Sequence, residues 1–294
     1  MREGPQRSLI YRSTGHLGIG DDSSSASDPT PEGWLVNVTA MAIASSADRE
    51  HGAYINSLGA PAETTPDGWV TRFSGVVAVV ARSPIPLFNH VFIETPEATP
   101  DDLRAAMAAL EETGLRYTVS LRVGTDDRLA EVLKASTLVA AEKPTPGMFL
   151  RPPTHSATPS DLVIRSGRDV FDDHCVVSAE GFGMSLETLR GVLTQELAER
   201  DDIVFYAGYV DGEPVASSAG VLHDSSVTVV NVATLPHHRG RGYGGAMTMA
   251  TVVDGAERGC DAAFLQSSEM GFPVYKRLGF ETVVEYHSWT STTG

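Results

Sequence analysis

Ten residues between two periodic runs constrain this chain most: 236–245 read Pro-His-His-Arg-Gly-Arg-Gly-Tyr-Gly-Gly. The β-branched run 227–234 before them predicts a buried strand, and the Ala/Met-rich run 246–257 after them predicts a helix. A glycine loop between a strand and a helix gathers unpaired backbone N–H groups at the positive end of the helix dipole. Phosphate groups bind at such a place, and Arg239 and Arg241 add charge that suits phosphate oxygens.

Two phosphate-binding motifs fit this loop poorly. Gly240, Gly242 and Gly245 match the dinucleotide pattern G-x-G-x-x-G, which expects an acidic residue about 20 positions further on. Asp261 has that spacing, but it precedes the apolar run 262–265 and so begins the next strand, whereas ligands of open parallel sheets lie at the carboxyl ends. A Walker A loop is excluded because no Gly-Lys-Ser/Thr follows. A dinucleotide-binding oxidoreductase is therefore the weakest of the alternatives.

The third pattern, Arg239-x-x-Gly242-x-Gly244, resembles a family motif. Gcn5-related N-acetyltransferases, the GNAT family, hold the pyrophosphate of acetyl-coenzyme A on [Q/R]-x-x-G-x-[G/A]. About thirty residues further on, Tyr275-Lys-Arg-Leu-Gly-Phe280 resembles the Y-x-x-L-G-F signature of the same family. The alternative for the loop alone is a glycine-rich turn that serves only packing.

The resemblance implies an α/β fold of the α+β mixed-sheet type. Two acyl-CoA N-acyltransferase-like lobes are expected, each with a central mixed β-sheet flanked by helices. The expected organisation is a flexible N-terminal tail at 1–33, a degenerate GNAT-like lobe at 34–143, a Pro-rich linker at 144–160 and an acetyl-CoA-binding GNAT domain at 161–294.

Two similar halves support the division into lobes. Gly114 and Gly259 each end a predicted helix, and each is followed by a strand, a helix and a further strand, as expected for two copies of one unit. The first half is about five residues shorter where the second has its glycine loop, and Glu97, Asp101 and Asp102 stand there instead. These acids would repel a pyrophosphate, so the first half is predicted to lack a coenzyme site. Chance similarity of two β-α-β-α segments is the alternative.

Local signals predict most of the elements. Strands are expected at 69–73, 75–81 and 87–94, and a helix begins after the N-cap Thr99. Residues 59–67 are predicted to be a loop, and one helix is expected from Ser185 to about residue 200. A hairpin is expected about Asp211-Gly212, a dipeptide that favours tight turns.

The resemblance also assigns site residues. The backbone of Val232, Ala233 and Thr234 would run alongside the pantetheine, with the Val232 N–H near the thioester oxygen. Ser268 falls where the family often has an Asn that reaches the coenzyme, and Tyr275 would protonate the leaving thiolate. The pyrophosphate would lie on Arg239, Gly240, Arg241, Gly242, Tyr243 and Gly244. A purely structural Tyr275, with its hydroxyl bonded to backbone, is the alternative.

The general base cannot be read from the sequence. His223, at a strand end, and Asn231, on the strand before the loop, are weak catalytic candidates; a polar side chain at 231 equally suits a β-bulge. His174 and Glu180 lie on a helix that in this family borders the acceptor cleft.

Charge and composition limit the partners. The net charge of −16, from 38 acidic and 22 basic residues, argues against nucleic acid, and an acidic surface could favour a cationic amine. The hydrophobic fraction of 41% is ordinary for a globular protein, and no run is long enough to span a membrane. Cys175 and Cys260 form no metal spacing, and no export signal opens the chain, so we expect a cytoplasmic protein without a metal. Whether it forms a homodimer is open.

These observations favour an N-acetyltransferase. It would move the acetyl group of acetyl-CoA to a primary amine of a small molecule or amino-acid-like acceptor by direct attack. The alternative is a non-catalytic acyl-CoA-binding or sensing protein.

Overall fold

The computed structural model describes residues 31–152 and 157–292, with side chains from residue 45 onward. Residues 1–30, the greater part of the predicted tail, lie outside the described residues, and 31–33 belong to a helix. The chain divides into two compact units, 1–40 and 41–294. The described part of the first unit, 31–40, is helical. Every described strand lies in the second unit, to which the following sections refer.

The described residues form eight α-helices and twelve strands. The helices are α1 (Pro31–Thr64), α2 (Pro100–Glu111), α3 (Ala130–Lys134), α4 (Phe171–Phe182), α5 (Leu186–Arg190), α6 (Gln195–Ala198), α7 (Tyr243–Glu257) and α8 (Phe272–Arg277). The strands are β1 (Trp69–Phe73), β2 (Val76–Val80), β3 (Asn89–Ile93), β4 (Thr118–Arg122), β5 (Val139–Ala140), β6 (Thr145–Leu150), β7 (Val163–Ser166), β8 (Ile203–Val210), β9 (Glu213–His223), β10 (Ser226–Thr234), β11 (Ala262–Gln266) and β12 (Glu281–Thr290).

All twelve described strands belong to one mixed sheet, which confirms the mixed α/β fold class. The order is β1-β2-β3-β4-β12-β6-β11-β10-β9-β8-β7, and β5 pairs with β12 outside this path. Two neighbouring pairs are parallel, β3 with β4 and β10 with β11, and each is joined by a helix, α2 or α7. The other neighbouring strand pairs are antiparallel. The predicted repeat therefore has a counterpart in two β-α-β units.

Two strands cross between the halves of the sheet. β12, from the end of the second half, pairs with β4 of the first, and β6, which precedes the second half, lies between β11 and β12. The Pro-rich linker expected at 144–160 is thus wrong over 145–150. Pro146 has no N–H to donate, but its carbonyl accepts from the Ser267 N–H, and Met148 is fully buried. The division into two lobes itself stays a prediction.

Helix α1 continues to Thr64, through most of the loop that was predicted at 59–67. Its residues Leu58, Ala60 and Ala62 are buried in one apolar cluster with side chains of β2, such as Val77, and of β8, such as Phe205. Both halves of the sheet therefore cover the helix. Burial of an apolar face stabilises a helix more than local propensity does, and Pro61 inside the helix is tolerated.

Short capping signals were predicted more accurately than helix length. Thr99 caps α2, and Ser185 caps α5 by accepting from the Thr188 N–H. The single helix expected to reach residue 200 is instead two, because Thr194 caps a new start at α6. Asp211 and Gly212 both have positive φ, 52° and 87°, as the tight β8–β9 hairpin requires.

Gly147 tests the contact between β6 and α1. A Cβ at this position would meet the Glu50 Oε1 atom of α1 and would lie 2.6 Å from Val284 Cγ1. We expect Gly147→Ala to lower the free energy of unfolding by about 1–3 kcal/mol, because neither neighbour has room to move. Urea unfolding measures the change.

Gly52→Ala is the control for this substitution. Gly52 lies in α1 with open space where its Cβ would be, so alanine should stabilise the protein by roughly 0.5–1 kcal/mol. Equal midpoints for the two variants would contradict the described packing of Glu50 over β6.

Candidate functional site

The glycine loop lies between β10 and α7, as predicted. Gly240 and Gly242 have φ of 79° and 86°, conformations that a side chain would strain, and Gly242 is the N-cap of α7. Gly242 has no side chain to accept a hydrogen bond, so the first N–H groups of α7, at Tyr243, Gly244 and Gly245, have no capping partner. A helix of fifteen residues thus begins with open donors beside two arginines.

The first turn of α7 is fixed tightly against the sheet. The Tyr243 side chain is buried, and its hydroxyl donates to Asp161 Oδ2 at 2.5 Å. A Cβ at Gly244 would lie 3.5 Å from Thr234 Oγ1 at the end of β10. The side chain of Tyr243 is therefore engaged within the protein, and its backbone N–H is the group available to a ligand.

The corresponding helix of the first half begins differently. Thr99 and Asp102 form a capping box at the start of α2, in which the Asp102 carboxylate accepts from the Thr99 N–H at 2.9 Å. These hydrogen bonds lower the pKa of Asp102. The Thr99 hydroxyl in turn accepts from the Asp102 N–H at 3.2 Å, so this N–H at the start of α2 has a partner within the chain.

The two loop arginines differ in their contacts. Arg239 is exposed, yet its guanidinium donates to the Thr234 carbonyl at 3.1 Å and to the Gly181 carbonyl at 2.8 Å. It therefore joins the end of β10 to the end of α4. Arg241 is exposed and forms none of the ion pairs found among the described residues.

A gap opens between β10 and β11 near this loop. The two strands pair only through Ser226, Val227 and Thr228, while β10 continues to Thr234. Pairing of β10 with β9 is also interrupted between Val230 and Ala233, which marks a β-bulge. The backbone of residues 231–234, where the thioester and pantetheine were expected, thus has free hydrogen-bonding edges.

Buried hydroxyl groups hold the bulge. Asn231 has a φ of 53°, and its carbonyl accepts from Ser217 Oγ at 3.3 Å. Ser217 Oγ lies 3.0 Å from Ser178 Oγ, which lies 3.4 Å from His174 Nε2. Burial lowers the pKa of His174 to about 4, so this histidine is neutral at pH 7. Asn231 therefore shapes the backbone, and its predicted catalytic role stays a prediction.

Tyr275 and Ser268 follow the carboxyl end of β11. Tyr275 is half-buried on α8 against Phe280, and burial raises its pKa to about 12, although a hydrogen bond from Thr248 acts in the opposite direction. The phenol is thus protonated at pH 7 and available as a donor. Ser268 is exposed, and its hydroxyl accepts from the Gly271 N–H at 3.1 Å.

His223 does not join these residues. It ends β9 beside Ser226, at the start of β10, and Thr234 lies roughly 26 Å further along an extended strand. Its imidazole lies 3.6 Å from the Asp224 carboxylate. It lines a cavity of about 480 Å³ near the start of β10, with His51, Glu94 and Arg122 among the other lining residues.

Sequence reasoning missed a buried carboxyl group near the gap. Glu50 of α1 is fully buried; its Oε1 atom accepts from Gln266 Nε2 at 2.6 Å, and its Oε2 atom lies 2.5 Å from Tyr286 Oη. Burial raises the pKa of Glu50 to about 7. Glu50 follows Asp48 and Arg49 in the sequence, so nothing in the local pattern marks it as buried.

The described residues contain neither a metal-binding cluster nor a membrane-spanning helix. Residues 31–152 and 157–292 hold no group of three or more His, Cys, Asp or Glu side chains that could bind a metal ion. Within the same ranges, no helix combines the length and the apolar character that crossing a membrane requires.

Solved structures share this fold. A GCN5-related N-acetyltransferase from Kribbella flavida superimposes with a TM-score of 0.64 at 17% identity, over 84% of this chain and 96% of that one. A GCN5-related N-acetyltransferase from Sphaerobacter thermophilus gives 0.54 at 13% identity, over 74% and 80%. A putative GNAT-family acetyltransferase from Novosphingobium aromaticivorans gives 0.51 at 17%, over 81% and 95%. At these identities the likeness establishes the fold, a mixed sheet of the N-acyltransferase type.

The family resemblance lies in the sequence of the second half. Residues 200–282 match the Acetyltransferase (GNAT) domain, and this segment contains the gap, the glycine loop and Tyr275. This segment is therefore similar to GNAT acetyltransferase domains. No curated protein sequence matches the chain significantly.

Gly242 tests the geometry of the loop. We expect Gly242→Ala to destabilise the protein by about 1–2 kcal/mol, because an L-residue in the left-handed conformation brings its Cβ against the following carbonyl. Thermal or urea unfolding measures this. Gly244→Ala is the matched control, since its added Cβ makes only ordinary contacts; equal losses in both variants would contradict the described φ at Gly242.

Proposed function

We propose that this protein is an N-acetyltransferase that moves an acetyl group from acetyl-CoA to a primary amine. The observation that carries the proposal is the start of α7, where open N–H donors and Arg241 surround a loop of positive-φ glycines. Such a helix start favours an anion, and the pyrophosphate of coenzyme A supplies one. The capped start of α2 explains why the first half would not need a second coenzyme.

The gap beside β10 suits the rest of this substrate. A pantetheine arm carries amide groups, which pair with the free backbone edge of residues 231–234 as an added strand would. The bulge turns the Val232 N–H out of the β9 pairing, so it can donate to the thioester oxygen and stabilise the charge that develops there.

Tyr275 completes the transfer. Attack by a neutral amine forms the C–N bond and releases a thiolate when the C–S bond breaks. The Tyr275 phenol follows the carboxyl end of β11 and holds its proton at pH 7, so it can donate to that sulfur.

Apolar side chains at this edge favour an acceptor with an apolar part. Phe182 ends α4, whose Gly181 contacts Ala233 of β10, while Met270 and Phe272 follow β11. All three are exposed, Met270 by 70%. The net charge of −16 favours a cationic amine over an anionic one.

The remaining expectations belong to this proposal. The enzyme would work in the cytoplasm without a metal, nucleic acid or membrane partner, as a monomer or a homodimer. Its two lobes would be a working one at 161–294 and a degenerate one at 34–143.

Calorimetric titration tests the coenzyme site. We expect acetyl-CoA to bind and NADH not to bind, and Arg241→Gln to weaken acetyl-CoA binding about tenfold because one charge-assisted contact is lost. The midpoint of unfolding should be unchanged, since Arg241 is exposed. Arg104→Gln, which removes an exposed guanidinium from α2, is the control and should leave binding unchanged.

Three results would count against parts of the proposal. Absence of acetyl-CoA binding would remove the acetyltransferase function altogether. Binding of NADH in its place would favour an oxidoreductase. Tight acetyl-CoA binding without thiol release on any member of a primary-amine panel would favour a non-catalytic acyl-CoA-binding protein.

Tyr275→Phe tests the proton donor. We expect the rate of thiol release to fall about 10²–10⁴-fold with acetyl-CoA affinity unchanged, because the ring and its packing against Phe280 are retained. Stopped-flow or steady-state thiol detection measures the rate. Turnover at the wild-type rate would remove Tyr275 from the mechanism.

A further inference from the structure

Three buried side chains, from two elements, form one hydrogen-bonded chain beneath the gap. Glu50 and His51 lie on α1 and Tyr286 lies on β12, and each is at most 3% exposed. Tyr286 Oη is 2.5 Å from Glu50 Oε2 and 3.0 Å from His51 Nδ1. His51 Nε2 is 2.8 Å from the Ile93 carbonyl oxygen. We call these three residues the Glu50 chain.

Counting donors places an extra proton on the Glu50 chain. A carbonyl oxygen only accepts, so His51 Nε2 must carry a hydrogen, and in neutral His51 the Nδ1 atom is then an acceptor. The one hydroxyl hydrogen of Tyr286 goes to that Nδ1, which leaves Glu50 to supply the hydrogen of the 2.5 Å contact. An ionised Glu50 beside a neutral His51 would leave two acceptors facing each other in a buried site.

The surrounding groups favour the proton on Glu50 rather than on His51. Burial raises the pKa of Glu50 to about 7 and lowers that of His51 to about 4. The ionisable groups that face the chain are Tyr54 on α1, His90 on β3, Arg122 on β4, and Asp126 beyond β4. Arg122 donates to Asp126 through Nε and Nη2, so their charges offset each other, and burial keeps His90 neutral with a pKa of about 3.

The Glu50 carboxyl group lies beside the point at which β10 and β11 cease to pair. Gln266, which donates to Glu50, ends β11 two residues after Phe264, the last residue that pairs with β10. Thr228 is the partner of Phe264, so Gln266 is level with Val230, immediately before the bulge. Gly147 on β6 has no side chain in the space that the carboxyl group occupies. Gln266 is partly exposed, so its amide lies between the buried carboxyl group and the gap.

His51, at one end of the Glu50 chain, also lines a cavity. This is the cavity of about 480 Å³ that His223 also lines, together with polar residues such as Asp48, Thr95 and Thr125. His51 Nδ1 faces Tyr286 and Nε2 faces the Ile93 carbonyl oxygen, so both ring nitrogens are engaged within the protein.

We propose that Glu50, contributed by the first half of the chain, is the general base that deprotonates the acceptor amine in the second half. The inference rests on the proposed acetyltransferase function. Glu50 in its carboxylate form takes one proton from the acceptor ammonium through one water. The neutral amine attacks the thioester carbonyl, the C–N bond forms and the C–S bond breaks, and Tyr275 protonates the thiolate.

The protons balance over one cycle. Tyr275 regains its proton from the nitrogen of the newly formed amide, which carries one hydrogen too many after the attack. The proton that Glu50 takes from the ammonium is released to water before the next cycle. The net result is one amide, one thiol and one proton released.

Glu50→Gln is the decisive variant, because a glutamine side chain reproduces the protonated carboxyl group. Its amide donates to Tyr286 and its oxygen accepts from Gln266, so the fold and acetyl-CoA affinity should be retained. Thiol release with the best amine of a primary-amine panel should fall about 10²–10⁴-fold. In the wild type, kcat/KM should rise with pH through about 7, as Glu50 loses its proton, and this limb should be absent in Glu50→Gln.

Infrared spectroscopy tests the proton assignment without any turnover. The carbonyl band of a protonated carboxylic acid should appear in the wild type below pH 7, weaken above it, and be missing from Glu50→Gln. Glu63→Gln is the control: Glu63 lies on the same helix, is half exposed and pairs with Arg200, so this variant should keep the band, the rate and the pH limb.

Each contrary result overturns a stated part. A Glu50→Gln enzyme with the wild-type rate and pH limb removes Glu50 as the base. Absence of the infrared band would contradict the assignment of a proton to Glu50. A wild-type protein that binds acetyl-CoA but acetylates no amine removes the base role together with the proposed function, whereas loss of turnover only in Glu50→Gln leaves that function intact.

Discussion

Helix α1 is buried by both halves of the sheet, and the rest of the structure depends on this arrangement. Its apolar residues pack with strands of the first and second halves in a single cluster. Its polar residues reach across as well: Arg49 pairs with Asp261 at the start of β11, and Glu50 contacts Gln266 at its end. A helix of the first half thereby fixes the floor beneath the gap in the second. Removal of the first half would expose that floor to solvent.

The two β-α-β units show how one backbone arrangement can be open or closed to an anion. In the second β-α-β unit, β10-α7-β11, a glycine at the N-cap leaves the first N–H donors of the helix available to a ligand. In the first β-α-β unit, β3-α2-β4, the Thr99 hydroxyl accepts from the Asp102 N–H, which is one of the corresponding donors. The difference lies in a few residues of one loop, while the parallel pairing of three residues is the same in both units. A few residues of one loop therefore decide whether such a unit is open to an anion, with little change in the sheet.

Local chemistry explains which features could be predicted from the sequence. The β10–loop–α7 unit, the Thr99 cap and the Asp211-Gly212 turn depend on neighbouring residues, and the structure has them as predicted. The predicted linker was wrong over 145–150 and the predicted loop over 59–64, because burial by distant strands decides the conformation there. Glu50 was missed for the same reason: its burial, its contacts with β11 and β12 and its raised pKa arise only from tertiary packing.

The crossing of β12 into the first half has a consequence for how the chain acquires its structure. On a translating ribosome, β1 to β4 emerge long before residues 281–290, yet β4 has β12 as its neighbour on one side. Until then the edge of β4 is an unpaired strand edge, which is prone to pairing with other chains. The first half therefore reaches its final hydrogen bonding only when nearly the whole described chain has been synthesised, and nascent chains truncated before residue 281 should be clients for chaperones.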